Sequence, residues 1–538
     1  MFKDKGFGME RKNKKINLIK LTLALFFGVT VVAPLLVMLT HIGDIDAFAL
    51  LSSSQFTKAL LNSLLLACVS TVISVLLAGA LAFAIARSNV KYKNAFGVIF
   101  TLPMLIPSIS HGMGLVLLLG SNGIITNLFG LNGSIYGFGG VLIGSVMYSF
   151  PIAFLMMSDV LRYEDCTSYD AAKVLGIPKI NCFFGITLPY LRKPLISIVF
   201  SVFTLVFTDY GVPLMVGGKF STLPVMMYQE VIGLLDFGKG SAIGVVLLIP
   251  AAIAFLFDVL NKDKGNNSFV TKTADINKNK CRDILCLVFC IVVSIFVILP
   301  IFAFCMLSVV KKYPVDISFS LDNIARAFEM NAGKFISNSI IIAFSVSLGG
   351  TVFSYITAYI TARTKGKSSK LLHLIAITSM AIPGLVLGLS YVLFFKSSFI
   401  YGTLLILILV NLIHFFSSPY LMAYNSFGKI NANLEDVGIT LGINRAHMIK
   451  DVFIPQMYST LLEMFVYFFV NCMMTISAVS FLFTVNNMPV SLMITQFEAQ
   501  MLLECSAFIS VVILAINLGM KALIFLINKK LCTAEQRG

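Results

Sequence analysis

The residues whose types and spacing suit molecular recognition lie in a polar segment that the sequence contains twice, each time between two long apolar runs. Each copy contains a group of three residues, the triad, whose first residue is aspartate. A glycine follows after three further residues, and a four-residue, mostly apolar group that ends in proline follows after nine more. The first repeated segment, residues 168–189, contains Asp170, Ala171, Ala172, Gly176, Ile186, Leu188 and Pro189. The second repeated segment, residues 434–455, contains Asp436, Gly442, Val452, Ile454 and Pro455, and the numbering offset between the copies is constant at 266 (442 − 176 and 455 − 189).

Each repeated segment is predicted to be a short amphipathic helix that ends at Gly176 or Gly442, because glycine readily adopts the left-handed turn that closes a helix. Ser168 and Asn433 are the candidates for capping its start. The proline that closes each segment then opens an apolar helix, where its missing N–H costs little. A pair of ordinary loops would explain one copy, but recurrence at identical spacing favours a docking site for two copies of one soluble partner.

The composition of the chain is that of a polytopic membrane protein. Of 538 residues, 58% are hydrophobic and 12% are charged, which excludes an ordinary soluble domain. The formal net charge is +15, but the basic residues lie in short segments between apolar runs, a pattern that follows the positive-inside rule and does not indicate nucleic acid binding. Ten cysteines are scattered without a C-x-x-C pair, so we expect neither a disulfide framework nor a metal site.

Hydropathy predicts an all-α fold with about twelve membrane spans and both termini in the cytoplasm. The first apolar run is expected to be a retained helix, because it is longer than the core of a signal peptide. The predicted spans of the first half are 21–39, 59–86, 95–120, 141–157, 195–216 and a sixth that ends near 260. Those of the second half are 284–307, 335–362, 371–395, 400–423, 461–484 and 508–527.

The two halves are predicted to be parallel repeats, residues 1–260 and 284–538, joined by a polar cytoplasmic linker at 261–283. Short identical pairs recur at a numbering offset of 276 (338 − 62): Asn62-Ser63 with Asn338-Ser339, Ala86-Arg87 with Ala362-Arg363, and Ile106-Pro107 with Ile382-Pro383. The change of offset from 276 to 266 implies ten extra residues in the first half, which we place in the outer loop 121–137.

The repeated segments resemble the EAA loop of permease subunits in bacterial ATP-binding cassette importers, whose pattern is Glu-Ala-Ala, three residues, Gly, nine residues, Ile-x-Leu-Pro. The first segment follows this pattern closely, with Asp170 in place of Glu. The second departs from it in the triad Asp436-Val437-Gly438. The resemblance covers the chain as two fused type I permease domains, similar to the fused subunits that serve ferric iron, thiamine and 2-aminoethylphosphonate.

This resemblance implies a bacterial plasma-membrane subunit that is not itself an enzyme and binds no cofactor. A homodimer of cytoplasmic ATPase subunits would carry ATP and Mg and receive both loop helices, and an extracytoplasmic binding protein would deliver a small solute. The chain contains no G-x-x-x-x-G-K-[ST] phosphate loop of its own. Gly366-Lys367-Ser368 imitates the end of that motif, but Thr361 stands where its first glycine is required.

Asp209 and Tyr210 are the candidates for lining the translocation path. The carboxylate of Asp209 is predicted to lie inside the fifth span, where it needs water or a partner, and a structural, hydrogen-bonded acid is the alternative. The stretch that contains both residues is similar to an Asp-aromatic-Gly segment of iron and aminoethylphosphonate permeases. The expected cargo is 2-aminoethylphosphonate, followed by ferric iron and then thiamine.

Two other classes of function are alternatives for a chain of this composition. An ion-coupled secondary transporter often has twelve spans and parallel halves, but it is expected to place several ionisable groups at mid-membrane. Apart from Asp209, the apolar runs contain almost none away from their predicted ends. A scaffold or sensor would not require two matched docking segments.

Overall fold

The computed structural model describes residues 17–44, 46–130, 134–162, 164, 167–261, 279–364, 366–431 and 433–535. Within these ranges, nine helices are long and apolar enough to cross a membrane, and three further helix pairs pass the same test together but bend by more than 40° at a short break. Counting each bent pair as one span gives twelve, which agrees with the number predicted from hydropathy. Most of the predicted linker, 262–278, lies outside the described residues.

Thirteen helices precede the linker in the described part of the chain. They are α1 (Asn17–Gly43), α2 (Ala47–Ser52), α3 (Ser54–Arg87), α4 (Lys93–Thr101), α5 (Ser108–Leu119), α6 (Ile124–Phe129), α7 (Phe138–Arg162), α8 (Thr167–Val174), α9 (Lys179–Cys182), α10 (Leu188–Phe207), α11 (Gly211–Val216), α12 (Leu223–Tyr228) and α13 (Phe237–Asn261). Short 3-10 or π turns connect or interrupt several of them.

After the linker, the described chain forms α14 (Lys280–Leu307) and a small antiparallel hairpin, β1 (Val310–Lys312) and β2 (Asp316–Phe319). The remaining helices are α15 (Asp322–Glu329), α16 (Ala332–Arg363), α17 (Lys367–Thr378), α18 (Gly384–Phe395), α19 (Leu404–His414), α20 (Ser417–Lys429), α21 (Leu434–Thr440), α22 (Arg445–Met448), α23 (Ile454–Gln456), α24 (Tyr458–Met474), α25 (Val490–Ala499) and α26 (Leu503–Glu535). The all-α class is confirmed, with this one hairpin added.

Five predicted spans are broken or end early: 95–120, 195–216, 371–395, 400–423 and 461–484. The span at 95–120 divides into α4 and α5 around a 3-10 turn, because the prolines at 103 and 107 each remove a backbone donor. In the span at 195–216, α10 ends at Phe207 and α11 begins at Gly211. Asp209 therefore lies in a break between two helices, beside residues 210–213, whose glycine and proline predict such a break. The helix α24 likewise ends at Met474, ten residues before the predicted end.

Each half contains one long uninterrupted helix that ends in the repeated Ala-Arg pair. α3 has 34 residues and α16 has 32, so each is about 50 Å long at 1.5 Å per residue. The hydrocarbon core of a bilayer is only about 30 Å thick. Both helices therefore extend beyond the apolar layer at one or both ends.

Small side chains allow these two helices to pack closely against their neighbours. In α3, buried alanine and serine residues recur at helical spacing, and Ser74 hydrogen-bonds Ser149 of α7 at 2.8 Å. In α16, a Cβ added to Gly350 would lie 2.8 Å from the ring of Phe468 in α24. Stripes of small residues of this kind bring membrane helices into close backbone approach.

The chain divides into two compact units that do not coincide with the sequence repeats. One unit consists of Asp46–Asn331 with Ser491–Leu514, and the other contains Ala332–Val490 together with α1 and the chain from Ala515 onward. Each unit therefore takes its long proline-free helix, α3 or α16, and its repeated segment from the same half of the sequence. The division of the sequence at 260 and 284 stays a prediction.

Candidate functional site

The first repeated segment is a helix closed by a left-handed glycine. The helix α8 ends at Val174, and Gly176 has a φ of 68°. The N–H of Ile177 donates to the carbonyl of Ala172 at 2.9 Å, which caps the free end of the helix in the manner of a Schellman motif. Ser168 is the second residue of α8, so its predicted role as the cap that precedes the helix was wrong.

The second repeated segment has the same backbone course. The helix α21 ends at Thr440, Gly442 has a φ of 73°, and the N–H of Ile443 donates to the carbonyl of Gly438 at 2.8 Å. Asn433 immediately precedes α21, at the predicted capping position. The two segments therefore share a helix, a glycine turn and the same closing hydrogen bond, at equivalent positions of the repeat.

The match continues into the connection with the next apolar helix. α9 and α22 are each followed by a five-residue π turn, Phe183–Thr187 in the first segment and Ile449–Phe453 in the second. Pro189 and Pro455 are each the second residue of the helix that follows. π turns occur mostly inside longer helices and often at functional sites, so their recurrence at equivalent positions marks a constrained connection.

Each segment exposes an apolar side chain directly before its glycine. Leu175 is 74% exposed and its counterpart Leu441 is 68% exposed. The isoleucine after the glycine is partly exposed in both copies, at 41% for Ile177 and 42% for Ile443. Both leucines lie outside the candidate membrane spans. Sequence analysis did not single them out, although both stand beside the glycine in the repeated pattern.

A packing contact accounts for glycine in place of the second alanine of the triad, at Gly438. A Cβ added to Gly438 would lie 2.1 Å from the sulfur of Met448, so a larger residue there requires the Met448 side chain to move. In the first segment, the position of Met448 is taken by Cys182, and that of Gly438 by the buried Ala172. A larger residue on one helix is thus matched by a smaller one on the other, and the local fold is kept.

An arginine at the end of α3 contacts the beginning of the first segment, and a tyrosine there joins it to the end. Arg87 pairs with Glu164, and its guanidinium carbon lies 5.1 Å from the centre of the Tyr169 ring. The Tyr169 hydroxyl donates to Glu164 at 2.6 Å and lies 2.5 Å from the Thr187 hydroxyl. Burial, together with the hydrogen bond to Glu164, raises the pKa of Tyr169 to about 12.

Arg363 at the end of α16 plays the same part in the second segment. Its Nε donates to Glu435 at 2.5 Å, and its guanidinium carbon lies 5.4 Å from the centre of the Phe453 ring. It also donates to the backbone carbonyls of Ile430 at 3.0 Å and Asn431 at 2.8 Å. Arg87 and Arg363 are only 16% and 7% exposed, so neither ion pair is an ordinary surface contact.

The two candidates for the translocation path are held by local contacts. The carboxylate of Asp209 accepts the backbone N–H groups of Gly211 at 3.3 Å and Val212 at 3.1 Å, where α11 begins. Tyr210 is 1% exposed, and its ring stacks on that of Tyr228 at 5.1 Å. These contacts match the structural alternative for Asp209, an acid that accepts hydrogen bonds from its own chain.

Comparison with known proteins gives the same family twice in this chain. The family described as "Binding-protein-dependent transport system inner membrane component" matches residues 74–262 and again residues 350–532. Each match begins within the long helix that ends at Arg87 or Arg363, and each contains one repeated segment. The two matches together cover more than half of the chain.

Two curated relatives align over most of the sequence. The ferric transport system permease protein FbpB of Actinobacillus pleuropneumoniae is 26% identical over 456 residues, which cover 81% of this chain and 66% of that protein, just under two thirds of its length. The putative ferric transport system permease protein FbpB 1 of Haemophilus influenzae is also 26% identical, over 495 residues, which cover 87% of this chain and 78% of that protein.

A solved structure of a bacterial alginate ABC transporter, in complex with a periplasmic protein that carries an alginate pentasaccharide, is 17% identical to the chain. The alignment covers 47% of this chain and 93% of that one, with a TM-score of 0.38. On the evidence of the two family matches, the chain belongs to the family of inner membrane components of binding-protein-dependent transport systems, as a multi-pass permease with two such domains fused in one polypeptide.

Proposed function

We propose that the chain forms the transmembrane path of an ATP-binding cassette importer, and that its two repeated segments are the docking sites for two cytoplasmic ATPase subunits. One observation carries the proposal: two equally folded polar turns present Leu175 and Leu441, 74% and 68% exposed, at equivalent positions. Apolar side chains that protrude from a charged segment outside the membrane spans are typical of a surface that a partner covers.

The charge distribution supports a cytoplasmic location for both segments. The first is flanked by Arg162, Arg192 and Lys193, and it lies at the same end of α3 as Lys91 and Lys93. Basic residues next to membrane spans concentrate on the cytoplasmic side. The far ends of α3 and α16 would then face the outside, where a solute-binding protein would deliver cargo, and both termini would lie in the cytoplasm.

The work of transport is divided between this chain and its partners. ATP and Mg would be bound by the ATPase subunits, and their closure and opening would move the two docked segments. The permease would respond by shifting between an inward-facing and an outward-facing state, by an amount set by the difference in binding free energy between those states. Because the two segments have the same backbone fold, each can receive the same ATPase subunit, so we propose that the partner is a homodimer.

For the cargo, we favour ferric iron. Two relatives that align over most of the chain are named as ferric transport permeases, whereas 2-aminoethylphosphonate, the cargo placed first from sequence, finds no support in those relatives. Thiamine is a less favoured candidate for the cargo than ferric iron. Asp209 and Tyr210 remain proposed path residues, and the hydrogen bonds of Asp209 favour a role in shaping the break between α10 and α11.

Transport in proteoliposomes distinguishes the proposed ATP-driven importer from the alternative, an ion-coupled secondary transporter. The purified chain is reconstituted with its ATPase and binding protein, and uptake of ferric iron is measured with ATP, with a non-hydrolysable analogue, and with an ion gradient alone. Uptake that requires hydrolysable ATP supports the importer. Accumulation driven by the gradient alone would reject it, and ATP-dependent uptake of a different solute would reject only the choice of iron.

A further inference from the structure

The outer end of α3, opposite Arg87, is tied to the short helix α12. The amide of Asn62 donates to the carbonyl of Ser221 at 2.9 Å, and the N–H of Leu223 donates to the hydroxyl of Ser63 at 2.8 Å. Leu223 is the first residue of α12. Two adjacent side chains of α3 therefore supply the hydrogen-bond partners for the turn that opens this helix.

The same arrangement of hydrogen bonds recurs at the equivalent end of α16. The amide of Asn338 donates to the carbonyls of Asn486 at 3.1 Å and Met488 at 3.3 Å, and the N–H of Val490 donates to the hydroxyl of Ser339 at 2.7 Å. Val490 is the first residue of α25. The Asn-Ser pairs that recur in the two halves of the sequence thus make the same contacts with two different short helices.

Both long helices are therefore anchored by polar contacts at each end. Within each helix, the asparagine and the arginine are separated by the same interval in numbering, 25 (87 − 62 and 363 − 338), which corresponds to about 37 Å along the axis. Neither α3 nor α16 contains a proline, whereas Pro151, Pro194, Pro250 and Pro300 interrupt α7, α10, α13 and α14. A continuous helix without such kinks moves as a rigid element.

The contacts of Arg87 and of Arg363 join the same kinds of side chain, although these side chains come from different positions of the repeat. In the first segment, the carboxylate precedes the docking helix, as Glu164, and the ring lies on it, as Tyr169. In the second, the position of Tyr169 holds the carboxylate, as Glu435, and the position of Thr187 holds the ring, as Phe453. An arginine, a carboxylate and an aromatic ring meet in both, which would be an unexpected coincidence for incidental packing.

We propose that α3 and α16 are transmission helices, in which Arg87 and Arg363 receive the movement of the docking segments and the Asn-Ser pairs pass it, at the far end of each helix, to the turns that end at Leu223 and Val490. This inference rests on the proposed function, because it assigns the path by which ATPase movement reaches the outer side. The arginines act as positioning residues. Arg363 contacts both the beginning and the end of its segment, and Arg87 contacts the beginning and reaches the end through Tyr169, so each segment and its long helix move together.

Coupling between ATP hydrolysis and uptake tests the inference in the reconstituted transporter with its ATPase and binding protein. In Arg87→Gln with Arg363→Gln, we expect the ATPase subunits to copurify and to hydrolyse ATP, while solute taken up per ATP falls about tenfold, within the range that allosteric couplings span. Ser63→Ala with Ser339→Ala, at the far ends, is expected to lower the same ratio. The matched control is Lys91→Gln, which removes a positive charge four residues beyond Arg87 and is expected to keep the wild-type ratio.

Charge exchange separates transmission from a merely structural role. Arg87→Glu with Glu164→Arg restores the pair with its partners reversed, and we expect it to recover most of the coupling that Arg87→Glu alone removes. An unchanged ratio of uptake to ATP in the double arginine variant would overturn the inference, as would loss of the ATPase from that variant, which would make the arginines assembly residues. A wild-type transporter with no ATP-dependent uptake would instead refute the proposed function.

Discussion

Single residues in the two repeated segments differ in ways that keep one local fold. Gly438 stands where the first segment has Ala172, and the larger Met448 stands where the first has Cys182. The sulfur of Met448 occupies the space that a methyl group on Gly438 would need. The glycine at position 438, one part of the departure from the family pattern, is therefore a packing exchange within the segment, and the exposed Leu441 is retained.

This exchange predicts a specific rescue. Gly438→Ala should destabilise the chain by about 1–3 kcal/mol, the usual cost of overpacking a tight contact. Adding Met448→Cys, which reproduces the pair found in the first segment, should recover most of that loss, because the effects of contacting residues are not additive. Thermal unfolding of the purified single and double variants measures both values. If the stability lost in the double variant equals the sum of the losses in the two single variants, the contact with Met448 does not determine the choice of glycine.

The hydroxyl of Tyr169 gives a pH dependence with a definite sign. Its pKa is raised from 10.0 to about 12 in the folded protein, first by burial and then by the hydrogen bond to Glu164. The unfolded chain therefore loses this proton first as pH rises, so the stabilisation is fully present below about pH 10 and is lost as pH approaches 12.

We accordingly expect the difference in melting temperature between wild type and Tyr169→Phe to stay constant from neutral pH to about pH 10 and to shrink above it. Tyr190→Phe is the control, because that hydroxyl makes a long contact of 3.4 Å with the carbonyl of Val160. A difference that is constant through about pH 12 would mean that folding does not raise the pKa of the Tyr169 hydroxyl.

At the level of helices and turns, the geometry of each repeated segment depends on its glycine. Gly176 and Gly442 have φ values of 68° and 73°, a region that costs other L-residues roughly 1–2 kcal/mol and that proline, with φ fixed near −65°, cannot adopt. The glycine sets the direction in which the segment returns to the membrane helix. It also places Leu175 or Leu441 at the exposed tip of the turn.

We expect Gly176→Pro, and separately Asp170→Lys, to uncouple ATP hydrolysis from uptake without preventing membrane insertion. The first removes the turn, and the second reverses the charge on the exposed face of α8. Glu329→Lys, a charge reversal at an exposed acid outside the repeated segments, should leave transport unchanged. Uptake per ATP in proteoliposomes and the yield of inserted protein are the two measurements. Normal uptake in both variants would remove the docking role from the first segment.

For the molecule as a whole, the sequence allowed prediction of whatever depends on local pattern. Twelve apolar runs and the helix–glycine turns follow from hydropathy and from residue types at fixed spacing. The arginine anchors could not be predicted, because Arg87 and Glu164 are 77 residues apart and Arg363 and Glu435 are 72 apart. The carboxylates also stand at non-equivalent positions, so comparing the halves residue by residue does not reveal them.

The positions of the breaks in the predicted spans do not follow from hydropathy alone. Hydropathy counts apolar residues, and the stretch from α10 through α11 is apolar on both sides of Asp209. The carboxylate accepts two backbone N–H groups and so competes with helix continuation. A single polar side chain therefore decides the local course of the backbone where the average composition does not change.

Photo-crosslinking at the tips of the two repeated segments tests the central claim most directly. A photoreactive phenylalanine analogue is placed at Leu175, at Leu441 or, as a control on the outside of α3, at the half-exposed Leu65. The proposal predicts that illumination of membranes containing the whole transporter joins the ATPase subunit to positions 175 and 441 and not to position 65. The account would be contradicted if neither segment captured the ATPase, or if both were labelled only from the outer side of the membrane.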